Sequence, residues 1–159
     1  MPSPALPDER PRLYLEDLRV GQTFISASHT IDEAQMVRFA SEFDPQPFHL
    51  SEEGGRGTFF DRLVASGWHT AAITMRLVVQ GGAPIAGGQI GAGGEITWPR
   101  PTLPGDTLHV KSEVTEIRPS RSRPDRGIVT IRTDTYNQHD EIVQVFSAKL
   151  VVRRRPAAA

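Results

Sequence analysis

Cysteine is absent from the 159 residues of this sequence. Its absence excludes disulfide bonds, thiolate catalysis and cysteine-ligated zinc, and it is compatible with a reducing compartment. An excess of charge of one sign is also absent. The 18 basic and 19 acidic residues leave a formal net charge of −1, which gives no whole-protein attraction to nucleic acid or anionic membranes. No apolar run approaches the length of a membrane-spanning helix. These absences predict a cytoplasmic protein without a nucleic-acid or membrane partner.

The chain is long enough for one domain with a single hydrophobic core. Prolines and charges dominate residues 1–12, so this segment is predicted to be a disordered leader that lacks the apolar core of an export signal. Residues 153–159 are predicted to be a flexible tail. A single domain is therefore expected over residues 13–152.

Hydrophobic spacing predicts a first strand over residues 22–29 and then a helix. Thr30 and Glu33 have the spacing of a capping box, and the helix is expected to stop before Pro45. A short helix is predicted to begin at Ser51. The first part of the domain is therefore predicted to contain one strand followed by two helices.

Gly67 begins the best helix, which is apolar around nearly its whole circumference and is therefore expected to be buried. The pattern then changes to the period of two that is typical of strands. Four strands are predicted, over residues 94–98, 107–117, 128–136 and 142–152. Short turns between long strands favour antiparallel neighbours, so we expect an α+β fold whose sheet wraps one buried helix.

A carboxylate and an imidazole lie five positions apart where the first helix ends. Pro45 and Pro47 fix their own φ angles and push the preceding residues out of the α region, which predicts a stiff turn between Asp44 and His49. Such a pair can share a water molecule and move its proton. The alternative is that both are ordinary polar surface residues at the end of a helix.

Three segments together resemble a known family. The run Asp44-Pro45-Gln46-Pro47-Phe48-His49 is similar to the signature Asp-x-Asn-Pro-x-His of the MaoC-like acyl-CoA hydratases. Ser66-Gly67 matches the start of that family's central helix, and residues 101–108 match its Pro-x-x-Pro-Gly-Asp-Thr-Leu segment. The resemblance covers roughly residues 13–152 and implies a hot-dog fold, an antiparallel sheet around a central helix.

The resemblance also implies a reaction, the reversible addition of water to a trans-2-enoyl thioester, with the R isomer of the 3-hydroxyacyl product as the family precedent. Asp44 and His49 are then expected to activate the water, and the Gly67 N–H to stabilise negative charge on the thioester oxygen. Ser66 and Trp68 are expected to bind substrate. The implied substrate is an acyl-CoA, the implied assembly is a homodimer, and no cofactor is expected.

The sequence departs from the family pattern at Gln46, where the family has Asn, and at the bulky pair Trp68-His69. Gln adds a methylene, so its hydrogen bonds must reach differently. His69 is expected at the polar edge of its helix, with the acyl channel as the alternative. Two other functions stay open: a thioesterase on the same fold and a non-catalytic acyl-binding subunit.

Arg121 and Arg123 lie in the predicted 118–127 loop, which carries four arginines and one aspartate. Arginine binds phosphate oxygens well, so this loop is a candidate for holding the phosphates of coenzyme A. The alternative is an exposed hairpin loop that is charged for solubility. No metal site is expected because the sequence has neither His-x-x-x-His nor a carboxylate cluster.

Overall fold

The computed structural model describes residues 9–158. A 3₁₀ turn at Leu15–Asp17 precedes the other elements. In chain order these are β1 (Thr23–Ile25), β2 (His29–Thr30), α1 (Glu33–Phe43), α2 (Pro47–Leu50), α3 (Glu52–Gly55), α4 (Gly67–Gly81), β3 (Gly91–Thr97), β4 (Thr107–Pro119), β5 (Arg126–Tyr136) and β6 (Ile142–Arg153). The structure therefore has the predicted central helix and four long strands, but it divides the predicted strand at 22–29 into β1 and β2.

The sheet is antiparallel throughout and has the order β1-β4-β5-β6-β3, with β2 paired to the start of β4. Buried and less buried residues alternate along β5, which is the pattern of a sheet with one face on the core. Helix α4 runs against that face. The expected α+β hot-dog architecture is confirmed.

Helix α4 buries one side only. Its inward residues include Ile73 and Leu77, which pack with α1 and the sheet in one of the two apolar clusters. Trp68, Met75 and Val79 on another side are 60%, 41% and 53% exposed. The prediction of a helix buried on nearly all sides is therefore wrong, because an all-round apolar pattern does not tell which neighbour covers each side.

The start of α1 also differs from the prediction. Asp32 is the N-cap, and its side chain accepts a hydrogen bond of 2.7 Å from the Gln35 N–H. Thr30 lies in β2, where its hydroxyl bonds to Thr107. The predicted capping box is wrong because Thr30 pairs with a strand, and Asp caps a helix at least as well as Thr.

Parts of the predicted terminal segments can be located. Residues 1–8 of the predicted leader and residue 159 of the predicted tail lie outside the described residues. Arg10 donates a hydrogen bond of 2.6 Å to the Gly82 carbonyl after α4. Arg154 and Arg155 bind Glu16 and Asp17 at 3.1 and 2.6 Å. Between residues 9 and 158, no helix combines the length and hydropathy needed to cross a membrane.

Candidate active site

Helices α1 and α2, which follow each other in the chain, place Asp44 beside His49. Helix α1 ends at Phe43, and Asp44 is its C-cap, with its N–H bonded to the Ala40 carbonyl. The chain turns through Pro45 and begins α2 at Pro47, which suits the first position of a helix. His49 lies in α2, and its Nε2 is 3.2 Å from Asp44 Oδ2. The structure thus brings together the two side chains that the sequence singled out.

The imidazole of His49 is held in one orientation. Its Nδ1 is 2.8 Å from the carbonyl oxygen of Val64, which can only accept a hydrogen bond, so Nδ1 carries the proton. Nε2 is then the nitrogen that is free of a proton in the neutral ring and that carries the second proton in the imidazolium, whose charge Asp44 stabilises. Only 6% of His49 is exposed. This arrangement prepares Nε2 to take a proton from a molecule that lies next to Asp44.

The Asp44 carboxylate is stabilised in its charged form. Burial alone would raise its pKa, but hydrogen bonds from Ser66 and Gln46 and the charge of His49 outweigh burial and hold the pKa below its usual value. Ser66 Oγ donates to Oδ2 at 2.7 Å, and Gln46 Nε2 donates to Oδ1 at 2.7 Å. Gln46, the departure from the family signature, therefore binds the carboxylate directly.

Ser66 connects the carboxylate to the start of α4. It is the N-cap of that helix, and its hydroxyl accepts from the Trp68 N–H at 3.2 Å while donating to Asp44. Ser66 is 1% exposed, so its hydroxyl faces the carboxylate and the helix rather than open space. The residue expected to bind substrate is therefore placed to position Asp44.

Gly67 begins α4 at the wall of a cavity. Its N–H makes no hydrogen bond within residues 9–158 and is the first free donor at the positive end of the helix. A Cβ at this position would lie 2.7 Å from Cε2 of Trp98, so glycine is required by the indole packed on it. The N–H thus remains available beside the indole.

The cavity has a volume of about 410 Å³ and is lined by several of the residues described so far. Asp44, His49 and Gly67 all line it, and Trp68 and Trp98 form part of its wall. The two indoles pack edge to face, with ring centroids 5.4 Å apart. A carboxylate, an imidazole and a helix N-terminus thus converge on one space that is large enough for a small organic ligand.

The segment 101–108, matched to the family from sequence, is a structural support. Gly105 has φ +84°, which favours glycine, and its N–H bonds to the Ile31 carbonyl. The Thr102 carbonyl accepts from the Ala65 N–H at 2.9 Å. This turn therefore holds Thr102 beside the start of α4 and along the cavity.

Arg100 also lines the cavity, and the sequence analysis missed it. Its nearest carboxylate is Glu141, at 3.8 Å, and both side chains are well exposed. The signal available in the sequence was its position between Pro99 and Pro101, directly before the matched turn. Arg100 places a positive charge at the rim of the site.

Arg121 and Arg123 are far from this cavity within the chain. They lie in the β4–β5 turn, beyond Pro119. Counting across the paired strands, Lys111 of β4 lies at the same height in the sheet as the end of β3, and the end of β3 is beside the cavity. The strand from Lys111 to Pro119 spans roughly 25 Å at about 3.3 Å per residue. The structure does not bring these two arginines together with the Asp44 and His49 side chains of the same chain.

His69 occupies neither of the two positions considered from sequence. It is 4% exposed and stacks on Phe39 of α1, with ring centroids 4.6 Å apart. Burial, together with the charges of His29 and Arg38, lowers the pKa of His69 to about 4. The residue therefore belongs to the contact between α1 and α4. In the described part of the chain, no group of three His, Asp or Glu side chains is placed to hold a metal ion.

This chain is similar in sequence and in fold to several known proteins. The family model described as the MaoC like domain matches residues 17–137. A crystal structure of a MaoC-like dehydratase from Rhodospirillum rubrum is 60% identical, covers 91% of this chain and 99% of its own, and superposes with a TM-score of 0.89. Two curated relatives are the uncharacterized protein YdeM of Bacillus subtilis and a 3-hydroxybutyryl-CoA dehydratase of Methylorubrum extorquens. YdeM is 36% identical over 88% of this chain and 97% of its own length. The dehydratase is 35% identical over 70% and 69%.

Proposed function

The chain belongs to the MaoC-like dehydratase family, and from this premise we propose that it adds water reversibly to a trans-2-enoyl-CoA, giving a 3-hydroxyacyl-CoA. The observation that carries the proposal is the contact of 3.2 Å between His49 Nε2 and Asp44 Oδ2 on the wall of a cavity that Gly67 also lines. The M. extorquens relative is named for the reverse reaction on a four-carbon substrate. The proposal includes a cytoplasmic location and a homodimer.

His49 acts as the general base and then as the general acid. A water molecule in the cavity, beside the pair rather than between them, donates one hydrogen bond to Nε2 and one to Asp44. As its oxygen bonds to C3 of the substrate, Nε2 takes a proton from it. The resulting imidazolium gives that proton to C2, so the alkene gains one water and the imidazole returns to its neutral form. Asp44 stays ionised, orients the water and stabilises the imidazolium.

Gly67 stabilises the electrons that leave the alkene. Attack at C3 moves negative charge to the thioester oxygen, giving an enolate-like transition state. The free N–H at the start of α4 is a donor at the positive end of a helix, where an anion is favoured. A donor of this kind lowers the barrier by about 3 kcal/mol in comparable sites.

The test is an assay with trans-2-butenoyl-CoA that follows both the enoyl absorbance and free thiol. We expect loss of absorbance without thiol release. Asp44→Asn and His49→Asn should each lower kcat by about 100-fold or more. His49→Asn supplies an amide donor for the Val64 carbonyl but removes the base, so we expect the fold to be preserved. His139→Asn, at an exposed histidine, is the matched control.

Two results contradict the proposal. Thiol release at the rate of absorbance loss means that the thioester is hydrolysed. Unchanged turnover in both variants means that Asp44 and His49 do not carry the reaction.

A further inference from the structure

A second cavity adjoins the catalytic one and differs from it in character. It has a volume of about 540 Å³ and lies between α4 and the sheet. Its lining is mainly apolar, with Met75 and Val78 from the helix and Ile96 and Phe146 from β3 and β6. A space of this kind suits a hydrocarbon chain, because burying each methylene there stabilises binding by about 0.8 kcal/mol.

The few polar groups in this second cavity do not demand a polar ligand. The hydroxyls of Ser112 and Thr133, which both line it, are 2.8 Å apart and bond to each other. Thr74 also lines it, and its hydroxyl bonds to Thr135 at 2.7 Å. Because these hydroxyls are already paired, the cavity accepts an apolar chain without leaving them unsatisfied.

The two cavities meet at one side chain. Among the residues between 9 and 158 that line them, Trp68 alone lines both. Trp68 is the second residue of α4, directly after Gly67, so its indole stands beside the point where a thioester would contact the Gly67 N–H. A chain that extends from that point toward the apolar cavity meets this indole first.

The position of the Trp68 indole is supported by a chain of contacts. It packs edge to face on Trp98, at an interplanar angle of 82°. Trp98 is fixed in turn, because its Nε1 donates a hydrogen bond of 2.9 Å to Gln144 Oε1 and its ring packs on Gly67. Gln144 is fully buried on β6. Trp68 therefore packs on an aromatic ring that is itself held in place.

We propose that Trp68 is a specificity-determining residue that closes the apolar cavity to the acyl chain and restricts the protein to short 2-enoyl-CoA substrates of about four to six carbons. This inference rests on the proposed hydratase function. It assigns the chain-length limit to one indole rather than to the size of the space beyond it.

The test compares kcat/KM for four-carbon and eight-carbon 2-enoyl-CoA substrates. The unsubstituted protein should prefer the four-carbon substrate, and Trp68→Ala should shift the ratio toward eight carbons by about tenfold or more. Trp68→Phe should give a smaller shift. Met75→Ala enlarges the apolar cavity but leaves the Trp68 indole in place. Alone it should therefore leave the ratio of the two kcat/KM values unchanged. Combined with Trp68→Ala it should increase the shift toward eight carbons.

Two outcomes overturn the inference: an unchanged ratio in folded Trp68→Ala, or a shift caused by Met75→Ala alone. A binding measurement separates this failure from failure of the hydratase proposal. Calorimetry with saturated butanoyl-CoA and octanoyl-CoA on Asp44→Asn protein requires no turnover. Tighter octanoyl-CoA binding after Trp68→Ala supports the closure of the apolar cavity by Trp68 even if no enoyl-CoA is hydrated. Unchanged octanoyl-CoA binding contradicts that closure even if hydration occurs.

Discussion

One hydroxyl group links the charge of the catalytic carboxylate to the start of the central helix. Ser66 Oγ donates to Asp44 and accepts from the Trp68 N–H. Its removal costs both a donor to a carboxylate and a helix cap. The first loss changes the chemistry of the site, and the second changes the stability of the fold.

We predict that Ser66→Ala lowers kcat by about tenfold, the equivalent of one charge-assisted hydrogen bond of about 1.5 kcal/mol. The pKa of Asp44 should rise because a hydrogen bond that lowers it is lost. The acid limb of the pH profile of kcat should therefore move to higher pH. Steady-state kinetics between pH 4 and pH 8 measure both effects.

Ser51→Ala is the matched control for the lost cap. Ser51 caps α3 and accepts from the Gly54 N–H, with no bond to Asp44. It should lose about 1 kcal/mol of stability and keep the pH profile. An identical loss of kcat in both variants, without movement of the acid limb in Ser66→Ala, contradicts a role for Ser66 at the carboxylate.

At this scale the sequence predicted some contacts and not others. The meeting of Asp44 and His49 followed from Pro45 and Pro47, which constrain the backbone locally between two residues five positions apart. The bond between Ser66 and Asp44 spans 22 residues and depends on how α1 packs beside α4. No local pattern encodes that packing, so Ser66 was predicted only as a substrate contact at the start of the central helix.

The contact between helices α1 and α4 contains a buried histidine. His69 stacks on Phe39, and its Nδ1 is buried without a hydrogen-bond partner in the described structure. His29, Arg38 and Asp32 are the charged or titratable groups that act on it. Burial and the two basic residues disfavour the imidazolium, while Asp32 favours it, and the net effect keeps His69 neutral.

We predict that this contact weakens in acid. Because the folded pKa of about 4 is below the ordinary 6.5, the stabilisation is complete above pH 6.5 and is lost as the pH falls toward 4. The contribution of His69 to the free energy of unfolding should fall by about 1.4 kcal/mol per pH unit in this window. Urea unfolding at several pH values measures the slope.

His69→Leu should reduce that slope because it removes the titrating group. His139→Leu, at an exposed histidine, should leave it in place. Equal slopes in the His69→Leu variant and the unsubstituted protein exclude His69 as the source.

The boundaries of the elements show where periodicity is informative. The long strands and α4 were predicted because their patterns extend over many residues. The start of α1 was not, since Thr30 and Asp32 both suit a cap and only the pairing of β2 with β4 decides between them. Periodicity likewise marked every apolar side of α4 without indicating that Trp68, Met75 and Val79 are left largely exposed in the single chain.

At the scale of the whole molecule, the sheet has two unequal edges. One edge is the three-residue strand β1, and the other is the seven-residue strand β3, whose residues are mostly exposed. A long exposed edge presents unpaired backbone groups to another chain. The apolar side chains of Trp68, Met75 and Val79 are exposed on α4.

We predict a homodimer in which β3 pairs with β3 of a second copy. Light scattering should give twice the mass of the chain. Hydrogen exchange should be slower in β3 at high protein concentration than after dilution, because the second copy covers its free edge. Exchange in β1 should not depend on concentration. A monomer at every concentration, or protection of β1 instead of β3, contradicts this arrangement.

The contact of Gly67 with Trp98 couples two positions that lie 31 residues apart in the chain. Since a methyl group on residue 67 would overlap the indole, a larger residue there requires a smaller one at position 98. The smaller residue would release Gln144 from its partner and remove the surface on which Trp68 rests. Residues at these four positions are therefore expected to co-vary among relatives, and a side chain at position 67 would need compensating changes at the other three.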